Sequence, residues 1–500
     1  MDGSTTDNPP VHARVPEDGD AGAELGALVE AWLPGRRWYP AKGSTRTLPL
    51  VAVVRLEDPA GEAEVRIELR RLAGGGLLQV PLVLRAPGGE DAEGAAATRG
   101  PSAEDESRPE VVGHLADGTT VIDGAYDAAF LRAWLAAADG DAAGAVGDDR
   151  GAAPLDLTGA KVMTGEQSNT SVLLPSASPP AILKVFRTVG EGPNPDVEVP
   201  LALSRAGWQG VPRPLAWLTA SWPADGVPAS GHLGVMSELV LGAQDGFELA
   251  CRYAREAQDF TELAADLGRT TAQMHLALRT ALPASANAGD DGPADAADDA
   301  QDVARTVLAT LRERAAAAVD AAPVLSDRHA AVDRVLERVA GLDLPPLQRV
   351  HGDYHLGQVL RSADRGWVVL DFEGEPQASA AERTRPDLAL RDVAGMLRSI
   401  DYAAAVGQGS AAWAEAARDA LVQGYFDEVA AADGGEGAAG HDGTGAHDGA
   451  ATHGPAGSTA TLLHALELDK ALYEVVYESR NRPDWVAIPL GGVDRLLDAA

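Results

Sequence analysis

The stretch that most constrains the fold is Arg349-Val350-His351-Gly352-Asp353-Tyr354-His355-Leu356-Gly357-Gln358-Val359-Leu360, followed by Val368-Val369-Leu370-Asp371-Phe372-Glu373-Gly374-Glu375-Pro376. An apolar strand end runs into a polar turn, a second apolar pair, a short turn and a hydrophobic strand that ends in a carboxylate. Apolar segments of this length bounded by turn residues predict a hairpin. It would carry Asp353, Gln358 and Asp371 at set spacings.

Those three side chains meet the needs of phosphoryl transfer. One aspartate takes the proton of an acceptor hydroxyl, an amide oxygen five residues on holds magnesium, and so does an aspartate at the end of the next strand. Asp353 therefore reads as the catalytic base, and Gln358 and Asp371 as magnesium ligands; Gln358 stands where protein kinases have Asn. Glu373 reads either as a further metal ligand or as a partner for Arg383 or Arg391. The run Asp371-Phe372-Glu373-Gly374 is one residue longer than Asp-Phe-Gly, so activation-loop switching does not carry over. His351 and His355 sit in a Gly-containing loop without a Glu-bearing helix signature, which argues against zinc. His351 reads as a packed residue bracing the loop.

Upstream, the order of elements is that of a kinase small lobe. Lys161-Val162-Met163 is a strand, residues 164–170 a polar turn, Ser171 to Leu174 the return, and Ala181 to Phe186 a buried strand with Lys184 inside it. A helix starts at Asn194-Pro195-Asp196, and His232 to Leu239 is a further strand. A lysine in an apolar strand is costly unless paired; nucleotide phosphate and Glu198 would answer it. Gln167, Ser168, Asn169 and Thr170 offer backbone and hydroxyl donors to the phosphates of ATP. Backbone from Glu238 to Val240 would meet adenine.

Around this centre the chain divides into a disordered N-terminus (1–20), an α+β cap (21–104), a small subdomain (105–243) and a mainly helical lobe (244–500). The cap reading rests on a helix over Ala23 to Leu33 followed by alternating strands at Leu48 to Leu56, Ala63 to Leu72 and Leu77 to Leu84. Low-complexity runs at 283–301 and 433–459 read as surface insertions. Near the C-terminus Glu474, Tyr477, Glu478 and Asn481 share one helix face, with Trp485 beyond. Carboxylates, amides and an aromatic platform bind sugars; the same residues would equally anchor a helix through salt bridges.

A formal net charge of −34 argues against nucleic acid and anionic membranes as partners. The single Cys251 excludes an internal disulfide framework. The acidic, polar N-terminus lacks a basic n-region and no window has the apolar length of a membrane span, so the expectation is a soluble cytoplasmic enzyme.

The motif His351-Gly352-Asp353-Tyr354-His355-Leu356-Gly357-Gln358, with Asp371-Phe372-Glu373-Gly374-Glu375-Pro376, resembles the maltokinase family. So do Arg391-Asp392-Val393-Ala394-Gly395-Met396-Leu397-Arg398-Ser399, Gly192 to Val199, Gln167 to Ser171, and the tail from Asp469-Lys470-Ala471 to Pro483-Asp484-Trp485. The resemblance implies an α+β, protein-kinase-like, two-lobed fold with an N-terminal cap. It implies ATP- and Mg2+-dependent phosphorylation of maltose to maltose 1-phosphate, feeding α-glucan synthesis, with a trehalose synthase as metabolic partner. Two departures stand out: the cap entry Trp38-Tyr39-Pro40-Ala41-Lys42-Gly43, and the length of the acidic insertions. A glucosamine kinase on the same scaffold is the nearest alternative, and a non-catalytic nucleotide-binding subunit a more distant one.

Overall fold

The computed structural model describes residues 10–15, 20–40, 48–73, 75–87, 110–140, 156–163, 168–224, 227–283, 293–374, 383–437 and 457–499. The chain separates into two compact units, Met1–Leu201 with Pro212–Val240, and Ala202–Val211 with Leu241–Ala500.

In chain order the first unit contains β1 (Val11–His12), α1 (Asp20–Trp32), β2 (Leu50–Leu56), β3 (Glu64–Arg71), β4 (Leu77–Arg85), β5 (Val111–His114), β6 (Thr120–Asp123) and α2 (Ala128–Ala137). It continues with β7 (Asp139–Gly140), β8 (Lys161–Val162), β9 (Asn169–Leu174), β10 (Ala181–Phe186) and β11 (Thr188–Val189). After α3 (Pro195–Arg205), which ends in the second unit, come β12 (Pro214–Trp222) and β13 (Ala229–Glu238).

The cap expectation of a helix followed by antiparallel strands is met. Strands β2-β3-β4-β6-β5 form one sheet. Leu25 and Val29 of α1, four apart on one helical face, bury against Leu78, Val80 and Leu82, which alternate along β4. Asp127 caps α2 by accepting from the Ala129 N–H at 2.8 Å and also holds Arg85. The second sheet runs β1-β12-β13-β10-β9-β8, with β7 on β12. Short β11 follows β10 directly yet pairs with β4, joining the two sheets. Buried Gln79 of β4 donates to the carbonyls of Phe186 and Leu233, so the joint is hydrogen-bonded as well as apolar.

One sequence expectation needs correction here, and one strand went unpredicted. Residues 1–20 are not wholly without structure: Val11 and Ala13 pack on the core, and β1 pairs in parallel with β12, Val11 opposite Ala220. Strand β12, a central member of its sheet, had no counterpart in the sequence reading.

The second unit contains β14 (Gln244–Asp245), α4 (Gly246–Arg255), α5 (Thr261–Ala281), α6 (Pro293–Ala321), α7 (His329–Glu337), β15 (Val359–Ser362) and β16 (Gly366–Val369). Four helices complete it: α8 (Leu390–Gly407), α9 (Ala411–Gly437), α10 (Gly457–Asn481) and α11 (Ala487–Asp498). Helices α5 and α9 approach closely because glycine sits at the contact. A Cβ at Gly268 would stand 2.1 Å from the Leu421 carbonyl oxygen. Helix α6 begins inside the stretch read as an insertion, while residues 438–456 lie outside the described ones. No described helix is long and apolar enough to cross a membrane.

Candidate active site

In the second unit β15 and β16 pair as the expected hairpin, Val359 opposite Val369. The loop before it is held by one buried carboxylate, Asp392 of α8. It accepts from the backbone N–H of His351 at 2.8 Å and of Gly352 at 3.0 Å, and from His275 Nε2 at 3.0 Å. Burial alone would raise the Asp392 carboxyl; its hydrogen bond and charge contact with His275, with help from His351, hold it below the usual value instead. A Cβ at Gly395 would meet the Tyr354 carbonyl oxygen at 2.6 Å, so only glycine lets α8 lie against the loop. His351 packs between Tyr354 and Phe372, ring centroids 5.0 and 4.9 Å away. Its Nε2–H donates to the Leu370 carbonyl, and its Nδ1 faces the Asp353 N–H. That is the bracing role expected of it.

Asp353 is half-buried, and Lys470 of α10 brings its ammonium to 3.6 Å from the carboxylate. Gln358 and Asp371 come together: the Gln358 amide N–H donates to Asp371 Oδ2 at 3.0 Å, and the amide oxygen is an acceptor by type. Asp371 adopts φ 59, an unusual backbone for a non-glycine residue. Carboxylate oxygens of Asp371 and Glu373 lie within 4.8 Å of one another. This all-oxygen donor set fits a hard divalent cation. Arg391, offered as an alternative partner for Glu373, instead pairs with Asp387 and Asp469. His355 accepts the Gly357 N–H at Nδ1, and burial pushes its imidazole below the ordinary range.

In the first unit Lys184 lies in β10 between Ser171 and Val235. Its ammonium donates to Asp196 at 2.7 Å. Asp196 is the carboxylate that reasoning from position passed over in favour of Glu198, two residues along α3. Helix capping places it: the Asp196 N–H donates to Asn194 Oδ1 at 2.8 Å, and the Asn194 N–H donates to His232 Nδ1 at 2.9 Å. Asn169 and Thr170, expected to face phosphate, turn toward buried Arg187. Thr170 Oγ1 accepts from Arg187 Nε at 2.8 Å, and the Arg187 N–H donates to Asn169 Oδ1. A guanidinium without solvent needs such acceptors, and Asp123 supplies two more. Ser168 is exposed, and Gln167 lies outside the described residues. The Glu238 N–H donates to Arg213, and the Leu239 N–H to Pro180, up to the connector at Val240.

The C-terminal face resolves largely into ion pairs. Glu474 accepts from Arg398 at 2.9 Å. Glu478, 1 % exposed, is taken by Arg482 and by the Tyr402 hydroxyl. Trp485 stacks on Tyr402, and Arg482 lies 4.7 Å from its ring. Asn481 donates to the Tyr477 carbonyl, and Tyr477 is exposed. These ion pairs and the stacked rings are the contacts that the described residues of this face make within the chain. Lys470 and Asp392 were missed as site residues. Both lie in stretches whose family likeness was visible, but the loop contact that gives them a role is not encoded in spacing.

Comparison with known proteins agrees with this layout. Residues 32–127 match the maltokinase N-terminal cap domain, and residues 202–434 match the phosphotransferase enzyme family. A glucosamine kinase of Mycolicibacterium smegmatis is 30% identical over 356 residues, covering 68% of this chain and 80% of that protein. A glucosamine kinase of Streptacidiphilus jiangxiensis is 30% identical over 360 residues, covering 73% of that protein. Among solved structures, a glucosamine kinase in complex with glucosamine, ADP and inorganic phosphate superposes with TM-score 0.59 at 23% identity, covering 90% of this chain and 96% of that one. A second crystal form gives 0.61. The fold is thus α+β and kinase-like with an N-terminal cap, as expected. The maltose substrate is corrected: the cap resembles that of maltokinases, but the relatives matched over most of their length are glucosamine kinases. The trehalose-synthase partner, inferred only through maltose, falls with it. The chain belongs to the glucosamine kinase family of phosphotransferases.

Proposed function

We propose that this protein transfers the γ-phosphate of ATP to a hydroxyl of glucosamine, with magnesium. The observation that carries the reading is the 30% identity to glucosamine kinases over 80% and 73% of their lengths. The Asp353, Gln358 and Asp371 arrangement supports it chemically. Asp353 would accept the proton of the attacking hydroxyl, where positioning counts for more than an unusual pKa. Asp392 fixes that position through the His351 and Gly352 amides. Lys470 stands beside the same carboxylate and orients it. Gln358 and Asp371, with Glu373, would hold Mg2+, which neutralises charge on the transferred phosphoryl group. Lys184 and Ser168 would engage nucleotide phosphates, with Asp196 and Glu198 setting the lysine, and backbone from Glu238 to Val240 would meet adenine. A cytoplasmic location suits an ATP-dependent reaction.

The test is ADP release with ATP and magnesium across glucosamine, glucose, maltose and trehalose. Turnover on glucosamine, lost in Asp353→Asn, supports the reading. A chain that turns over only glucose, or no sugar at all, contradicts it.

A further inference from the structure

The second unit carries a cavity of ≈ 670 Å3 that none of the roles above uses. Its size suits a small ligand. Five arginines line it: Arg314, Arg383, Arg385, Arg391 and Arg480. Among the described residues, two carboxylates do, Asp387 and Asp469. The imbalance is notable in a chain with 41 basic and 75 acidic residues. Both carboxylates are committed. Asp469 accepts from Arg391 at 2.8 Å and from Arg314 at 3.2 Å, and Asp387 pairs with Arg391 at 2.7 Å. Arg385 and Arg480 are exposed at its rim, and among the described residues guanidinium groups outnumber carboxylates around the cavity. Guanidinium forks favour planar or tetrahedral oxyanions, phosphate above all. The ring of Tyr473 on the wall adds an aromatic surface of the kind that sugars contact.

The same wall contains Gly352 and Gly374. These adjoin the proposed base Asp353 and the proposed metal ligand Glu373. Both glycines have positive φ, 86 and 72, and a Cβ on Gly352 would lie 3.5 Å from the Gly374 Cα. The two loops thus meet at the cavity. Arg391 is also the neighbour of Asp392, whose carboxylate holds the base loop. On α10 the cavity takes the face of Asp469, Tyr473 and Arg480, whereas Lys470 faces Asp353.

We propose that this cavity is a regulatory site for a phosphorylated sugar, whose occupancy acts on the base loop through Gly352, Gly374 and the Arg391–Asp392 pair of neighbours. The anion preference rests on the cavity alone. Only the idea that the effector resembles the reaction product rests on the proposed function.

Calorimetric titration of the full chain with glucose 6-phosphate, and with glucose as the neutral control, tests it without reference to turnover. Glucose 6-phosphate is expected to bind, more weakly as salt rises, and glucose not to bind at this site. Replacing both rim residues, Arg385→Ala with Arg480→Ala, should weaken binding about tenfold or more. The Lys pair of substitutions should fall between, keeping charge but losing the fork. Basal turnover should be unchanged in both variants, while the effect of glucose 6-phosphate on turnover disappears with the arginines. Equal affinity in wild type and the alanine variant overturns the proposal. So does an absence of binding, or binding fully competitive with glucosamine, which would make the cavity the acceptor pocket.

Discussion

Replacing Asp392 with Asn tests how the base loop is held. The carboxylate accepts three hydrogen bonds at 2.8, 3.0 and 3.0 Å, from two backbone amides and a buried histidine. An amide has one acceptor oxygen, so at least one donor is left facing an NH2 group. Leaving a buried donor unsatisfied costs about 1–3 kcal/mol, and the lost charge weakens the remaining bonds. A destabilisation of about 2–4 kcal/mol follows. In a unit of this size that lowers its melting temperature by roughly 5–15 °C. A loop displaced by even about 1 Å loses on the order of a hundredfold in turnover. The pH dependence gives an independent check. The folded carboxyl titrates below its ordinary 3.8. Its contribution is therefore fully present above that value and is lost as pH falls through the lower folded one. The gap in stability between wild type and variant should be constant from about pH 5 to 8 and close below about pH 4. Thermal melts across pH, read by near-ultraviolet circular dichroism with turnover in parallel, measure both. A variant that melts within about 1 °C of wild type and keeps its activity refutes the bracing account.

Three further outcomes follow. Asp196→Asn should reduce kcat/KM for ATP about a hundredfold, as Lys184→Met does, whereas Glu198→Gln should cost less; the reverse order would restore the positional choice of Glu198. Lys470→Met should lower kcat about fivefold with little change in the KM for ATP, the effect of losing a partly screened ion pair of about 1 kcal/mol, with partial rescue by Arg. Burial lowers His232 from 6.5 to about 4 while its Nδ1 accepts the Asn194 N–H. The unfolded state then binds the extra proton, so the first unit should lose about 3 kcal/mol between roughly pH 6.5 and 4; unfolding midpoints of His232→Gln should lack that slope.

The legible parts of this chain were those in which local pattern and fold agree. The hairpin around Val359 and Val369 and Lys184 in β10 both follow from alternation. Strand β12 escaped because Pro212 and Pro214 punctuate its start like a turn, although it pairs with β13 from Pro214 to Trp222. Helix α11 contains Pro489, Gly491 and Gly492, and packing of Val493 and Leu496 overrides that propensity. Helix α6 opens with Pro293 in an Ala-rich run, which low complexity masked. The site divided on the same principle. Roles within one motif were visible, whereas the pairings Lys184–Asp196, Asp392 with the loop amides, and Lys470–Asp353 join segments up to 117 residues apart, as between His275 and Asp392. The face of Glu474 and Glu478 shows the limit of periodicity: one stripe of polar residues serves sugar binding or ion pairing, and spacing does not reveal the partners Arg398 and Arg482.

The most direct measurement is steady-state phosphorylation of glucosamine by the full chain with ATP and magnesium, beside Asp353→Asn. Saturable glucosamine-dependent ADP release with a glucosamine phosphate product, reduced by a factor on the order of a thousand or more in the variant while nucleotide still binds, is the predicted result. Equal turnover in wild type and variant would contradict the assignment of Asp353, and turnover on another sugar with glucosamine inert would contradict the substrate.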